Sequence, residues 1–179
     1  MVAGQLVVGG LPIPDDRPMF LAVLAVHVAA ATVCVVAGAL AALARKRPGR
    51  HPRAGTIYYR ALLCSFAALA TLTVLRWPHD VDLLAIGVVA TLAATIGVVA
   101  RRHRRIRLHG TGMAVSYIAL LTGFYVDNGP NLPLWNLLPH FLYWLLPAAI
   151  GVPLLLRALR RVGRPSGHEY GGTVDAVGG

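Results

Sequence analysis

Five apolar runs of near membrane-spanning length, separated by short polar segments, constrain this chain more than any other feature. They cover about residues 19–44, 57–75, 83–100, 111–126 and 134–159, the fourth being the shortest. A helix needs about 20 apolar residues to cross a hydrocarbon core of roughly 30 Å. Backbone groups left unpaired in lipid cost several kcal/mol each, which excludes open strands, and the runs lack the period-two alternation of a membrane barrel. The expected fold is all-α: a polytopic membrane bundle of five transmembrane helices. With 56% hydrophobic and 13% charged residues, the chain holds more apolar surface than one soluble core can hide.

Turn-forming residues mark the boundaries: Pro18, Pro48 and Pro52, Trp77-Pro78, Gly110 and Gly112, and the run Asp127-Asn128-Gly129-Pro130. The expected organisation is an extracytoplasmic segment over 1–18, the helical domain over 19–162, and a disordered Gly-rich cytoplasmic tail over 163–179. No basic cluster precedes the first apolar run, so that run is expected to be a helix of the mature protein and not a signal peptide.

Orientation follows from the basic residues. Six Lys or Arg fall in 45–60, five in 101–107 and four in 157–164, whereas the other side carries only Arg17 and Arg76. The positive-inside rule then places the N-terminus outside and the C-terminus in the cytoplasm. Asp15, Asp16, Asp80, Asp82 and Asp127 all fall on the outer side, and Trp77 and Trp135 sit where belt aromatics are expected.

A formal charge of +10 in a soluble protein would suggest nucleic-acid binding. Here the charges lie between apolar runs and not along one groove-binding surface, so nucleic acid is not an expected partner. Anionic lipid head groups at the arginine loops are, together with a redox partner or a second copy of the chain. Cys34 and Cys64 lie inside apolar runs and read as small hydrophobes, with no disulfide framework and no Cys-based zinc site. Nucleotide-loop, nucleophile-elbow and zincin motifs are absent from the sequence.

Chemistry falls to the histidines. Ionisable groups at membrane depth must find a partner or ligand, which makes them functional candidates by default. At ~1.5 Å per residue, His27 lies roughly 13 Å and His140 roughly 9 Å below the outer surface, so they form one candidate pair. Ala31, Cys34, Gly38 and Ala42 follow His27 on one helix face; small residues admit either a flat cofactor or a close helix neighbour. At the cytoplasmic side, His51 in the first basic loop and His109 leading into the fourth helix form a second candidate pair. Met113, Ser116 and Tyr117 continue that helix as lining residues. Facing imidazoles are a recurring way to hold haem b axially, and imidazole also suits copper, iron or zinc. The competing reading makes the histidines hydrogen-bonding glue between helices, in a scaffold without a cofactor.

At His51-Pro52-x-x-Gly55-x-x-Tyr58, about 24 residues after His27, and again at Ile106-x-x-His109-x-x-x-Met113-x-x-Ser116-Tyr117, the sequence resembles a family of uncharacterised bacterial integral membrane proteins, a domain of unknown function. The resemblance covers most of residues 20–127, supports His27, His51 and His109 as family positions, and leaves His140 outside the motifs. It implies a multi-pass protein of the bacterial cytoplasmic membrane and brings no activity with it. The histidine layout is similar to that of small b-type membrane cytochromes, and the function expected on that ground is membrane electron transfer through bound haem b or another metal.

Overall fold

The computed structural model describes residues 7–8, 11–12, 15, 17–44, 49–133 and 135–162. Five helices dominate: α1 (Pro18–Leu43), α2 (Arg50–Leu75), α3 (Val81–Arg102), α4 (Ile106–Asn128) and α5 (His140–Val162). Short 3-10 turns at Gly129–Asn131 and Trp135–Leu137 link α4 to α5. Near the N-terminus two short strands, β1 (Val7–Val8) and β2 (Leu11–Pro12), pair antiparallel with Val8 opposite Leu11. The expected tail at 163–179 and the loop residues 45–48 lie outside the described residues.

Two helices begin earlier than hydropathy suggests. α2 starts at Arg50 and α4 at Ile106, because helices run past the hydrocarbon edge into polar surroundings where arginine is no longer costly. Pro52 sits in the first turn of α2, where its missing N–H is one of the unpaired groups anyway. Gly49 precedes it with a φ of 116°, a conformation L side chains rarely adopt. The fifth helix starts later, at His140 and not near 134, since Pro130, Pro133 and Pro139 cannot continue a helix. Pro147 and Pro153 lie inside α5, as membrane helices tolerate when the freed carbonyls are met locally.

Four of the five helices, α1, α2, α3 and residues 140–160 of α5, are long and apolar enough to cross a membrane. α4 is not among them, and its place in the bundle gives the reason. It packs extensively against α3 and also against α5, with a smaller contact to α1. From His109 to Gly123 only Val115 is exposed. A helix enclosed by its neighbours has no need of a lipid-facing apolar surface, so Gly110, Thr111, Gly112, Ser116, Tyr117 and Thr122 dilute its hydropathy without exposing polarity to lipid.

The remaining contacts divide the chain into two hairpins. α1 packs along α2, α3 packs along α4, and a lighter contact joins α2 to α3. A buried cluster of Cys34, Ala37, Tyr58, Leu62, Ala90 and Ala94 joins α1, α2 and α3, with Met113, Tyr117 and Leu120 of α4 against it. Small residues set the α3–α4 spacing. A Cβ added at Gly112 would stand 2.6 Å from the Ala93 carbonyl oxygen and 2.9 Å from the Gly97 backbone, so the helices touch through their main chains. Lone hydroxyls fold back onto the preceding turn: Thr32, Thr71, Thr95 and Thr122 each donate to the carbonyl four residues earlier.

The α3–α4 turn is a Schellman arrangement. Arg105 N–H donates to the Ala100 carbonyl at 2.9 Å and Arg104 N–H to Arg101 at 3.1 Å, while Arg104 carries a φ of 58° where glycine is usual. A left-handed non-glycine residue costs roughly 1–2 kcal/mol. Arg104→Gly should therefore raise stability by about 0.5–1 kcal/mol after the entropy of the freer unfolded chain is subtracted. Gly112→Ala should lower it by about 1–3 kcal/mol, because backbone and not a movable side chain is in the way. Thermal unfolding of the two variants in detergent checks both signs.

Candidate functional site

α1 and α2 meet along a seam with a seven-residue period. His27 Nδ1 lies 3.0 Å from the Ser65 carbonyl oxygen, the Cys34 thiol lies 3.8 Å from the Tyr58 carbonyl, and His51 Nδ1 lies 2.8 Å from the Ala41 carbonyl. Positions 27, 34 and 41 on one helix thus face 65, 58 and 51 on the other. A heptad spacing keeps one face of each helix turned toward its antiparallel neighbour over several turns. Each link is a side chain reaching a backbone carbonyl, which in lipid has no water to satisfy its second lone pair.

The same period repeats between α2 and α4. His51 and His109 bring their rings together with centroids 6.5 Å apart and planes at 85°. Seven residues further along each helix, Tyr58 Oη and Ser116 Oγ form a buried hydrogen bond of 2.6 Å. At ~1.5 Å per residue the two rungs stand roughly 10 Å apart. Tyr58 is 1% and Ser116 0% exposed, so this bond is sealed from lipid and water alike. Tyr117 turns the other way, its hydroxyl donating to the Val35 carbonyl of α1 at 3.0 Å and its ring edge-on to Tyr58. Gly38 of α1 makes that possible: an added Cβ would collide with the Tyr117 ring. Tyr59 completes the polar ties with a 3.1 Å hydroxyl contact to Thr95 of α3.

Both members of the inner pair are oriented from behind. His109 Nδ1 lies 2.9 Å from the Gly97 carbonyl of α3, as His51 Nδ1 does from Ala41 of α1. A carbonyl only accepts, so each Nδ1 carries the proton, and in the neutral ring Nε2 is the nitrogen with the lone pair. Histidines that ligate through Nε2 are oriented in this way by an Nδ1–H bond to a carbonyl or carboxylate. Gly55, one turn from His51, and Gly110, next to His109, would each meet nothing within 4 Å on gaining a Cβ.

The outer pair is arranged differently. His27 is tied to Ser65, with the Ser65 hydroxyl also 3.3 Å from its Nδ1. His140 is the first residue of α5, exposed, with its ring edge-on to Tyr143 at 5.5 Å. Among the described residues no ring contact joins His27 to His140. That end of the bundle carries the ion pairs instead. Arg76 bonds both carboxylate oxygens of Asp80, at 3.0 and 2.9 Å, and the Arg17 guanidinium beside Asp15 holds its carboxyl below the usual range. Tyr125 stacks on Trp135, and Tyr143 donates to the Trp135 carbonyl at 2.8 Å, clasping the α4–α5 connection.

The pattern of the family described as Predicted membrane protein (DUF2306) matches residues 24–141. The chain belongs to this family. No curated protein and no solved structure matches it. The DUF2306 match begins just before His27, ends just after His140, and takes in all of α2, α3 and α4. Its description gives a membrane protein, in agreement with the apolar helices, and no activity.

Tyr58 and Gly55 are the site residues that motif reading left without a role. The signal was present: His51 to Tyr58 and His109 to Ser116 are both seven-residue steps. Met113, expected in the lining, has its backbone and Cγ close to Gly97 of α3. Removing half of the buried rung should be costly. Ser116→Ala should destabilise the protein by about 1–3 kcal/mol by stranding the Tyr58 hydroxyl, and Tyr58→Phe added to it should recover part of the loss. A double-mutant cycle of thermal unfolding reads the coupling.

Proposed function

We propose that this DUF2306 protein spans the membrane five times and holds haem b, or another transition metal, between His51 and His109 for electron transfer within the membrane. The observation that carries the reading is the perpendicular imidazole pair at 6.5 Å, with both Nδ1 atoms committed to carbonyls. Two imidazoles on opposite sides of one metal, each bonded through Nε2 at ~2.0 Å, have ring centres roughly 6 Å apart. Among the described residues no three His, Cys, Asp or Glu converge as a metal set. Two imidazoles are too few for a structural zinc site and enough for haem, whose porphyrin supplies the other four nitrogens.

The chain's own groups would then divide the work. Gly97 and Ala41 carbonyls fix the tautomer and aim of the two ligands, and Gly55 leaves room beside them. The Tyr58–Ser116 bond closes the bundle further in. Bound haem would supply one-electron chemistry. The His27 and His140 pair carries no share of this reading, because each has a separate partner.

A rival reading has one observation in its favour: His27, His51 and His109 each tie a helix to its neighbour's carbonyl, as hydrogen-bonding glue would. Absorption spectroscopy separates the two. Protein purified in mild detergent, with haem added during expression, should show a Soret band and near-stoichiometric haem. His51→Ala and His109→Ala should each lose it, whereas His140→Ala should keep it. Gly55→Leu should lower haem content while leaving the elution profile intact. A wild-type protein with neither Soret absorbance nor bound metal sinks the cofactor reading and leaves the glue.

The crossings have their own test. Five spans put residues 77–80 and 129–132 on one face of the membrane and 103–105 on the other, with the arginine-rich end cytoplasmic. Topology reporters fused at these three places should divide in that way. A reporter at 129–132 on the same side as 103–105 would mean that α4 does not cross.

A further inference from the structure

At the arginine-rich end, α3 and α4 leave a groove of about 220 Å³ between them. Its walls are Thr95, Ile96, Val99, Ala100 and Leu108, and its mouth is formed by His103 and Arg105. The hydroxyl of Thr95 is turned away from the groove's needs, donating to Thr91 and meeting Tyr59. The wall residues are therefore apolar in effect, while everything at the mouth is basic.

Among the described residues the charge around that mouth has no acidic counterpart. Arg101, Arg102, Arg104, Arg105 and Arg107 are all exposed. Among the described residues the two ion pairs, Arg17–Asp15 and Arg76–Asp80, lie at the opposite end, and so do Asp82 and Asp127. Five guanidiniums within seven residues repel one another unless an anion lies among them. The turn is also built at a local penalty: Arg104 occupies the left-handed position of a Schellman arrangement where glycine would be unstrained. Arg104 stands in the chain between His103 and Arg105, which both line the groove.

A ligand that satisfies both parts needs an anionic head and an apolar tail, and the groove faces the surroundings in which such molecules are the solvent. We propose that this groove is a binding site for an anionic diacyl phospholipid, its phosphate held by Arg104 and Arg105 and one acyl chain lying along Ile96 and Val99. Ile96 and Val99 are 52% and 44% exposed, so a chain laid there covers apolar surface already open to lipid. Arginine suits the head because its planar fork donates two parallel hydrogen bonds to a phosphate.

Native mass spectrometry of the full chain tests the site, with phosphatidylglycerol, phosphatidylcholine and inorganic phosphate as separate arms. Phosphatidylglycerol should be retained about fivefold more than phosphatidylcholine, whose choline cation the arginines repel, the ratio that about 1 kcal/mol per basic group near a membrane surface gives. Arg104→Gly should bring the two lipids close to parity. That variant relieves the backbone, so its loss of lipid cannot be put down to misfolding. Arg105→Gln should act in the same direction, and Val99→Trp should reduce phosphatidylglycerol retention by filling the groove. Equal retention of the two lipids by the wild type would overturn the proposal. So would retention unchanged by Arg104→Gly, or displacement of phosphatidylglycerol by millimolar inorganic phosphate, which would make the mouth a head-group site with no role for the groove.

Discussion

A hydrocarbon interior offers no water to polar atoms, and each side-chain donor placed there must be answered by another protein atom. In this bundle the answers between helices are mostly backbone carbonyls on the neighbour. His27 reaches Ser65, His51 reaches Ala41, His109 reaches Gly97 and Tyr117 reaches Val35. Ser65, Gly97 and Val35 lie inside their helices, where a carbonyl already bonded to its own helix has a second lone pair, so these links add ties between helices without breaking any within them. They also fix register. A slide of α1 along α2 by one turn would strand His27, Cys34 and His51 together, since all three lie on one seven-residue seam.

The position of α4 follows from the same constraint. It carries three glycines and five hydroxylated residues, and such a helix is stable in a membrane only where other helices cover it. α3 covers it through the Gly97–Gly112 contact, α5 from another side, and Tyr58 of α2 reaches it at Ser116. What makes α4 the least apolar helix is what makes it central. The polar groups that dilute its hydropathy are the ones that tie the two hairpins into one bundle.

Much of this was legible in the sequence, and the limits are physical. The apolar runs gave all five helices, four of them long and apolar enough to cross a membrane. The ends were misplaced where hydropathy is a poor guide: Arg50 and Arg107 are helical although charged, and prolines delay α5 to His140. The inner pair, His51 and His109, was grouped by its place at the arginine-rich end, and the structure brings the two rings to 6.5 Å because both segments enter the bundle from that end. The outer pair was inferred from depth alone. Equal depth says nothing of azimuth, and α1 and α5 turn His27 and His140 to different partners. Tyr58 escaped notice as a site residue because an aromatic in an apolar run looks like packing until its hydroxyl finds Ser116.

The inner pair also bears on how a structural tie and a ligand set are related. A histidine that only glued helices would need one ring nitrogen, and Nδ1 supplies it in both His51 and His109. Bringing the two rings together is a further condition that gluing to two different helices does not impose, yet their centroids lie 6.5 Å apart. Gly55 adds a second condition of the same kind. In a helix it is about 1 kcal/mol worse than alanine, and no neighbour approaches closely enough to require it. Packing alone accounts for Gly38, Gly97 and Gly112, each of which has another group pressed against it. It does not account for Gly55, and a flat ligand held between the two imidazoles beside it would.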